Sequence, residues 1–424
     1  MLVPKLATTL RTYDAPTAAA DVLAGLTVAL VALPLSIAIA IASGATPAQG
    51  LVTAIVAGFL ISALGGSRVQ IGGPTGAFIV VVAGVIAGHG YGGLLTATFM
   101  AGLILILAAL LRAGRLSRFV PEAVVNGFTI GIALIIATSQ IRDLLGLEIA
   151  HEPADALHRL PALWAARGTV DPRAFLVGAL TIVLILWLRR IAPRWPGLIA
   201  AVAIGSALAA VLPGVDTVGS RFGALPAALP APALPDLSPH ALVALLPAAV
   251  TIAFLAGIES LLSAMVADRM IGGSHRPNAE LLSQGVANLA SSLFGGLPAT
   301  GAIARTATNV RAGGRTPVAG MVHALAILVL MMTAAPLAGH LAMPALAGVL
   351  MVTAFTMSEP HRWAAHAREP WPERLLLLLT LALTVLVDLT VAIAAGVALG
   401  LVIRRFAPGD APPTLPDGDA PGGG

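Results

Sequence analysis

The sequence predicts an all-α polytopic membrane protein, and three observations carry that prediction. Hydrophobic residues make up 58% of the chain and charged residues only 10%, with a mean hydropathy of +0.93. A soluble domain averages roughly a quarter charged residues. Apolar segments separated by short Gly/Pro turns recur from residue 21 to residue 404. Among them lie two stretches that break the pattern, 72–78 (Gly-Gly-Pro-Thr-Gly-Ala-Phe) and 295–315, where glycines, a proline, threonines and Arg305 interrupt the hydrophobic sequence. Interrupted backbone is tolerated at membrane depth only where it is buried in protein or lines a cavity.

A span needs about 20 apolar residues, fewer where a half-helix is enclosed by protein. On that yardstick the chain divides into 14 segments. The first seven run near 21–43, 47–64, 74–88, 92–111, 120–141, 174–190 and 196–212. A Pro/Ala-rich loop, 213–240, precedes the second seven: 241–266, 281–294, 301–311, 316–335, 343–358, 374–387 and 389–404. Asp388 favours a turn between the last two. Residues 1–20 read as a cytoplasmic N-terminus without a cleavable apolar core. The loop 142–173 reads as a solvent-exposed excursion, and the Pro/Gly-rich tail 408–424 as disordered.

Charge supports an orientation with both termini in the cytoplasm. Lys5, Arg11, Arg112, Arg115, Arg118, Arg189, Arg190, Arg194, Arg269, Arg276, Arg311, Arg315, Arg362, Arg368, Arg374, Arg404 and Arg405 fall in loops assigned to the inside. Only Arg142, Arg159, Arg167, Arg173 and Arg221 fall outside, as the positive-inside rule expects. The net charge of +4, from 24 Lys+Arg against 20 acidic residues, is spread over loops and makes no nucleic-acid footprint. Cysteine is absent, which excludes disulfides and thiolate metal sites.

The two unusual stretches align with each other. Pro74-Thr75-Gly76-Ala77 matches Pro298-Ala299-Thr300-Gly301-Ala302, and Pro121 and Pro344 follow at nearly equal spacing. With seven segments per half, the second copy must be inverted: residues 21–240 form one repeat and 241–407 the other. Inverted repeats bring discontinuous helices together near the midplane, where transporters hold their substrates. In each copy a short helix is expected to begin at Thr75 or Thr300, leaving backbone N–H groups and the positive end of a helix dipole free. Two such ends facing each other make an anion site. Arg305 adds a fixed charge, which close packing of small residues alone does not explain.

Glu259 is the second anomaly, a carboxylate within an otherwise apolar segment. Intramembrane carboxylates are costly and mark function, and this one suits proton uptake and release; a structural ion pair with Arg305 is the plainer alternative. Ser263 lies one helical turn on. Arg68, Gln70 and Glu122 are expected at the cytoplasmic edge as snorkelling or capping residues. The cluster Asp268, Arg269, His275, Arg276 and Glu280 reads as a solvated loop with helix caps and not as a metal site. No carboxylate pair, Walker loop or nucleophile motif points to an enzyme or an ATP-driven pump.

These residues resemble the SulP (sulfate permease) anion transporters. The resemblance rests on Gly257-Ile258-Glu259-Ser260 through Asp268, on Asn278 through Asn288 (including Glu280-Leu281 and Gln284-Gly285), and on Phe294 through Thr306. Ala24-Gly25-Leu26-Thr27, Leu33-Pro34 and Gly72–Phe78 extend it to the first and third spans. It covers about residues 20–405. The resemblance implies discontinuous half-helices in spans 3 and 10, a core domain of 21–112 plus 241–336, a gate domain of 113–240 plus 337–407, and an elevator movement of the first past the second. It assigns substrate contacts to Thr75, Gly76, Ala77, Phe78, Gly301, Ala302, Ile303, Ala304 and Arg305, and coupling to Glu259 with Ser263. Family members usually end in a STAS domain; this chain reads as the transmembrane domain without one. A homodimer through the gate domain is a further implication.

Sodium-coupled bicarbonate members carry Asp at the position of Glu259 and Thr at those of Ser263 and Ile303, so the coupling ion expected here is H+ in preference to Na+, with no cofactor. Leu35 replaces a polar residue common after the first-span proline, which argues against assuming sulfate. The expected activity is secondary transport of bicarbonate, sulfate or a small dicarboxylate such as fumarate across the bacterial inner membrane. A sodium-coupled bicarbonate symporter, a nucleobase–cation symporter of the same architecture and a passive anion channel remain as alternatives. Nucleobase–cation symporters carry a second acidic residue where this chain has Arg305.

Overall fold

The computed structural model describes residues 2–114, 121–149, 156–192, 196–387 and 389–406. It shows a multi-pass helical membrane protein. Among the described residues seven helices are long and apolar enough to cross a membrane, each window having a mean hydropathy of 1.7 to 2.5. Of these, α1 is Ala15–Ala42, α2 Pro47–Leu64, α3 Ile79–Leu110, α4 Glu122–Leu145 and α5 Pro172–Ile191. Shorter α6, Gly197–Val211, precedes the loop to α7, Pro239–Ile271. Further along the chain come α8 (Pro277–Leu293), α9 (Ile303–Arg311), α10 (Pro317–Gly339), α11 (Met343–Met357), α12 (Trp371–Leu386) and α13 (Leu389–Phe406), with shorter helical pieces between some of them.

The helix boundaries follow local chemistry. Asp14 caps α1 by accepting from the Thr17 N–H at 2.9 Å, and Thr46 with Gln49 forms a capping box on α2. Proline stands in the first turn of α2, α5, α7, α8 and α10, where its missing N–H has no intrahelical acceptor to lose. The buried Asp21 carboxylate caps α10 from a distance, accepting from the Arg315 N–H (2.7 Å), the Thr316 N–H (3.1 Å) and the Thr316 hydroxyl. The break read between 88 and 92 falls at Gly90, whose φ of 69° interrupts α3. Asp388 and the tail 408–424 lie outside the described residues, as do Arg115, Arg118 and Arg194.

Two segments outside the long helices carry short helices that the sequence reading did not specify. The excursion 142–173 contains a helix, Ala156–Ala165, with Arg159 and Leu163 buried, followed by a 3-10 turn, Ala166–Thr169. The N-terminal segment carries a short helix, Lys5–Thr9, whose Lys5 N–H donates to the Gly65 carbonyl at 2.9 Å. The N-terminal piece uses the edge of the bundle to satisfy a backbone group, which composition alone does not reveal.

Helices α1, α2, α3, α7, α8, α9 and α10 pack on one another; α4, α5, α6, α11, α12 and α13 form a second group. Within the first group backbones touch directly. A Cβ on Gly285 would lie 2.8 Å from the Gly102 carbonyl oxygen, and one on Gly102 would lie 2.8 Å from that of Gly285. Small residues permit this approach between membrane helices. Replacing Gly285 by valine is therefore expected to destabilise the protein by about 1–3 kcal/mol, the usual range for overpacking. A thermal melt in detergent checks this, and an unchanged midpoint would contradict the backbone contact between α3 and α8.

Candidate functional site

The two interrupted stretches meet. Gly72–Gly73 (β1) pairs antiparallel with Thr300–Gly301 (β2), with Gly72 opposite Gly301 and Gly73 opposite Thr300. Around this bridge the chain is stapled by side chains from other elements. The Ile71 N–H donates to Thr306 Oγ1 at 3.0 Å, the Ala302 N–H to the Ile71 carbonyl at 2.8 Å, and Asn309 Nδ2 to the Val69 carbonyl at 2.8 Å. Backbone that belongs to no helix is thereby satisfied inside the protein, as membrane depth requires.

Each strand feeds a helix start. After β1, Thr75 stands at the N-cap position of a 3-10 turn, Gly76–Phe78, that runs directly into α3. After β2, Ala302 is the N-cap of α9. The expected start at Thr300 is thus displaced: Thr300 is a strand residue, and its hydroxyl donates to the Ala256 carbonyl at 2.8 Å. Pairing with β1 holds Thr300 and Gly301 extended, so the helix cannot begin before Ala302. The first amides of both helix starts have no intrahelical acceptor.

The nine residues assigned to substrate contact are brought together at this crossing. Ala77 and Phe78 are buried at 1% and 2% exposure, and Gly76 and Gly301 are buried with them. Ile303, at 45%, and Ala304 are exposed, and Thr75 is partly so, which leaves the two helix starts open on one side. Helices α4 and α11 close in opposite: a Cβ on Gly76 would lie 3.2 Å from Ile136 Cδ1 and 3.2 Å from Met357 Sδ.

Arg305 is the largest fully buried side chain of the described residues, at 1% exposure. Its Nη2 donates to Ser36 Oγ of α1 (3.1 Å) and to the Pro74 carbonyl (3.0 Å), while Nε and Nη1 have no protein partner. Nη1 lies against Gly73, where a Cβ would come within 2.3 Å of it. One α9 residue thus clamps the first stretch and keeps donors to spare. Glu259 on α7 is partly buried, and its Oε2 accepts from Thr75 Oγ1 at 3.0 Å. No ion pair joins Glu259 to Arg305, so the plainer alternative for this carboxylate is not what the structure shows. Ser263 is fully buried and its hydroxyl lies 3.4 Å from that of Thr306.

Two residues read as peripheral are central. Gln70 is buried, not at an edge, and its Nε2 donates to the Ser260 carbonyl (3.2 Å) and hydroxyl (3.0 Å). Glu280 is fully buried, not in a solvated loop. Only the rest of that cluster is peripheral, with His275 Nδ1 2.6 Å from the Asp268 carboxylate. Glu122, by contrast, stays at the rim with Arg362 at 2.8 Å. Ser36 was not singled out; its one signal was its place just after Pro34-Leu35, inside an otherwise apolar helix.

Comparison with known proteins identifies the family and the fold. A putative sulfate transporter of Bacillus subtilis, YvdB, is 44% identical over 390 residues, covering 91% of this chain and 74% of its own length. The bicarbonate transporter BicA of a Picosynechococcus strain is 32% identical over 398 residues, covering 90% and 69%. Among solved structures, the transmembrane domain of a cyanobacterial BicA superposes with a TM-score of 0.79 at 30% identity, covering 92% of this chain and 98% of that one. SLC26A9 superposes with a TM-score of 0.86 at 16% identity, a likeness of fold alone. The Sulfate permease family profile matches residues 19–370, and with that match over most of its length the chain belongs to the Sulfate permease family.

Proposed function

We propose that the chain is a secondary active transporter of a small anion, driven by proton symport through Glu259. The observation that carries this reading is the pairing of 72–73 with 300–301, which puts two helix starts, Arg305 and the Thr75–Glu259 hydrogen bond at one place. The spare donors of Arg305 and the free amides at Gly76 and Ile303 favour negative charge on a ligand. Sulfate and bicarbonate head the substrates to test, because relatives carry those names; a small dicarboxylate follows.

Coupling follows from electrostatics. A charged Glu259 and a bound anion repel; for unit charges about 6 Å apart at an effective dielectric of about 20 this amounts to about 3 kcal/mol. Neutralising Glu259 with a proton removes that term, so proton and anion each favour the other's binding, as linkage requires. Ile303 offers no oxygen to a sodium ion, which favours H+. The first helix group corresponds to the proposed core domain and the second to the gate, with the core moving as an elevator. A homodimer, the inner membrane and cytoplasmic termini complete the reading.

The test is uptake into liposomes of labelled sulfate and labelled bicarbonate, with an inward proton gradient, an inward sodium gradient, or neither. Accumulation driven by the proton gradient is expected. Accumulation driven by sodium alone would replace the proton, and equilibration without any gradient response would indicate a passive channel.

A further inference from the structure

Glu280 is a carboxylate at 0% exposure that neither the anion contacts nor the proton step uses. Its hydrogen bonds all come from neutral donors. Oε2 accepts from the Gly66 N–H at 2.9 Å; Oε1 accepts from Ser260 Oγ at 2.7 Å and from Gln284 Nε2 at 3.0 Å. The Ser260 hydroxyl is saturated, because it also accepts from Gln284 Nε2 at 2.7 Å and from Gln70 Nε2 at 3.0 Å. Taking a carboxylate out of water costs several kcal/mol even after relaxation. A residue with only a packing role would not need the charge.

The connections show what the charge holds. Gly66 hangs on one oxygen of Glu280, and Gln70, four residues later, hangs through Ser260 on the other. The segment 66–70 is thereby closed into a ring immediately before β1. Gln70 also reaches the partner stretch: a Cβ on Gly301 would lie 1.5 Å from its Nε2, so the amide rests on the Gly301 backbone. Ser260 itself follows Glu259 in α7. One carboxylate thus ties the approach to β1, the back of β2 and the residue beside the coupling position.

We propose that Glu280 is a positioning residue for the anion site, acting through Ser260 and Gln70 to hold β1 and β2 in register and so to set anion affinity. The inference rests on the anion-site reading above. Replacing Glu280 by Gln sets an amide donor among donors, at Gly66 or at Ser260 and Gln284, because a carboxamide has only one acceptor oxygen.

Three variants of the full chain in lipid nanodiscs and liposomes test it: Glu280→Gln, Ser260→Ala and Gln70→Ala. Amide hydrogen exchange over 66–73 and 300–306 is expected to accelerate at least tenfold, with α5 and α6 unchanged in the same samples. Half-saturating sulfate or bicarbonate in uptake is expected to rise about fivefold, with the maximal rate per folded molecule retained. Unchanged exchange in Ser260→Ala and Gln70→Ala would overturn the proposal. So would faster exchange or a lower melting point with half-saturation unchanged, the signature of a merely structural strut. Should Glu280→Gln fail to fold, the other two variants, which keep the Gly66–Glu280 bond, decide. Should the wild type take up neither of these anions nor fumarate, the transport reading falls on that result, and exchange still decides whether the tie holds the two stretches.

Discussion

Arg305→Ala is expected to weaken anion binding tenfold or more while proton-gradient dependence persists at high substrate. Hydrogen bonds to a charged group contribute about 1.5–3 kcal/mol, and 1.4 kcal/mol is about tenfold in affinity. The variant also strands the Pro74 carbonyl and the Ser36 hydroxyl, which receive the Arg305 Nη2 at 3.0 and 3.1 Å. Some loss of stability should therefore accompany the loss of affinity. Arg305→Lys separates the two effects, since an ammonium keeps the charge but lacks the planar fork that serves Ser36 and Pro74 and still presents spare donors. Half-saturation for labelled anion, measured beside the melting temperature, checks both. Affinity equal to wild type in Arg305→Ala would remove this residue from the site.

Glu259→Gln is expected to abolish stimulation by an inward proton gradient and to leave counterflow exchange of anion intact. The amide keeps the size of the side chain and an oxygen to accept from Thr75 Oγ1, now 3.0 Å away. It cannot change charge. By the estimate of about 3 kcal/mol between unit charges about 6 Å apart, the variant should bind anion as the protonated wild type does, at every pH. Uptake with and without the gradient, in parallel with counterflow, distinguishes coupling from binding. Undiminished gradient stimulation in the variant would remove Glu259 from the coupling role, and loss of counterflow as well would make it a binding residue.

The segments were legible because the bilayer imposes one rule on every residue. Backbone must be satisfied locally, so apolar runs of helical length are helices, and glycine or proline marks their ends. The break at Gly90 follows from that rule. The paired stretches were legible for the same reason inverted: they violate it, and only buried or cavity-lining backbone can.

Thr300, Gln70 and Glu280 were not legible. Each lies at a position whose surroundings come from distant parts of the chain. Thr300 reads as a helix start until pairing with Gly73 holds it extended. Gln70 and Glu280 look like edge and loop residues because their immediate neighbours are polar, such as Arg68 and Arg276. Their burial arises from α7, more than a hundred residues beyond Gln70, which places Ser260 between them.

The sequence by itself determined a multi-pass helical protein, the two stretches that interrupt it, and Arg305 and Glu259 as the charges out of place. Those follow from hydropathy and backbone chemistry, which act over a few residues. Only the tertiary structure decided that the stretches pair strand to strand, that Glu259 bonds to Thr75 and not to Arg305, and that Glu280 belongs behind the site. Partners for a buried charge are chosen by packing across the whole chain, and no local pattern encodes that choice.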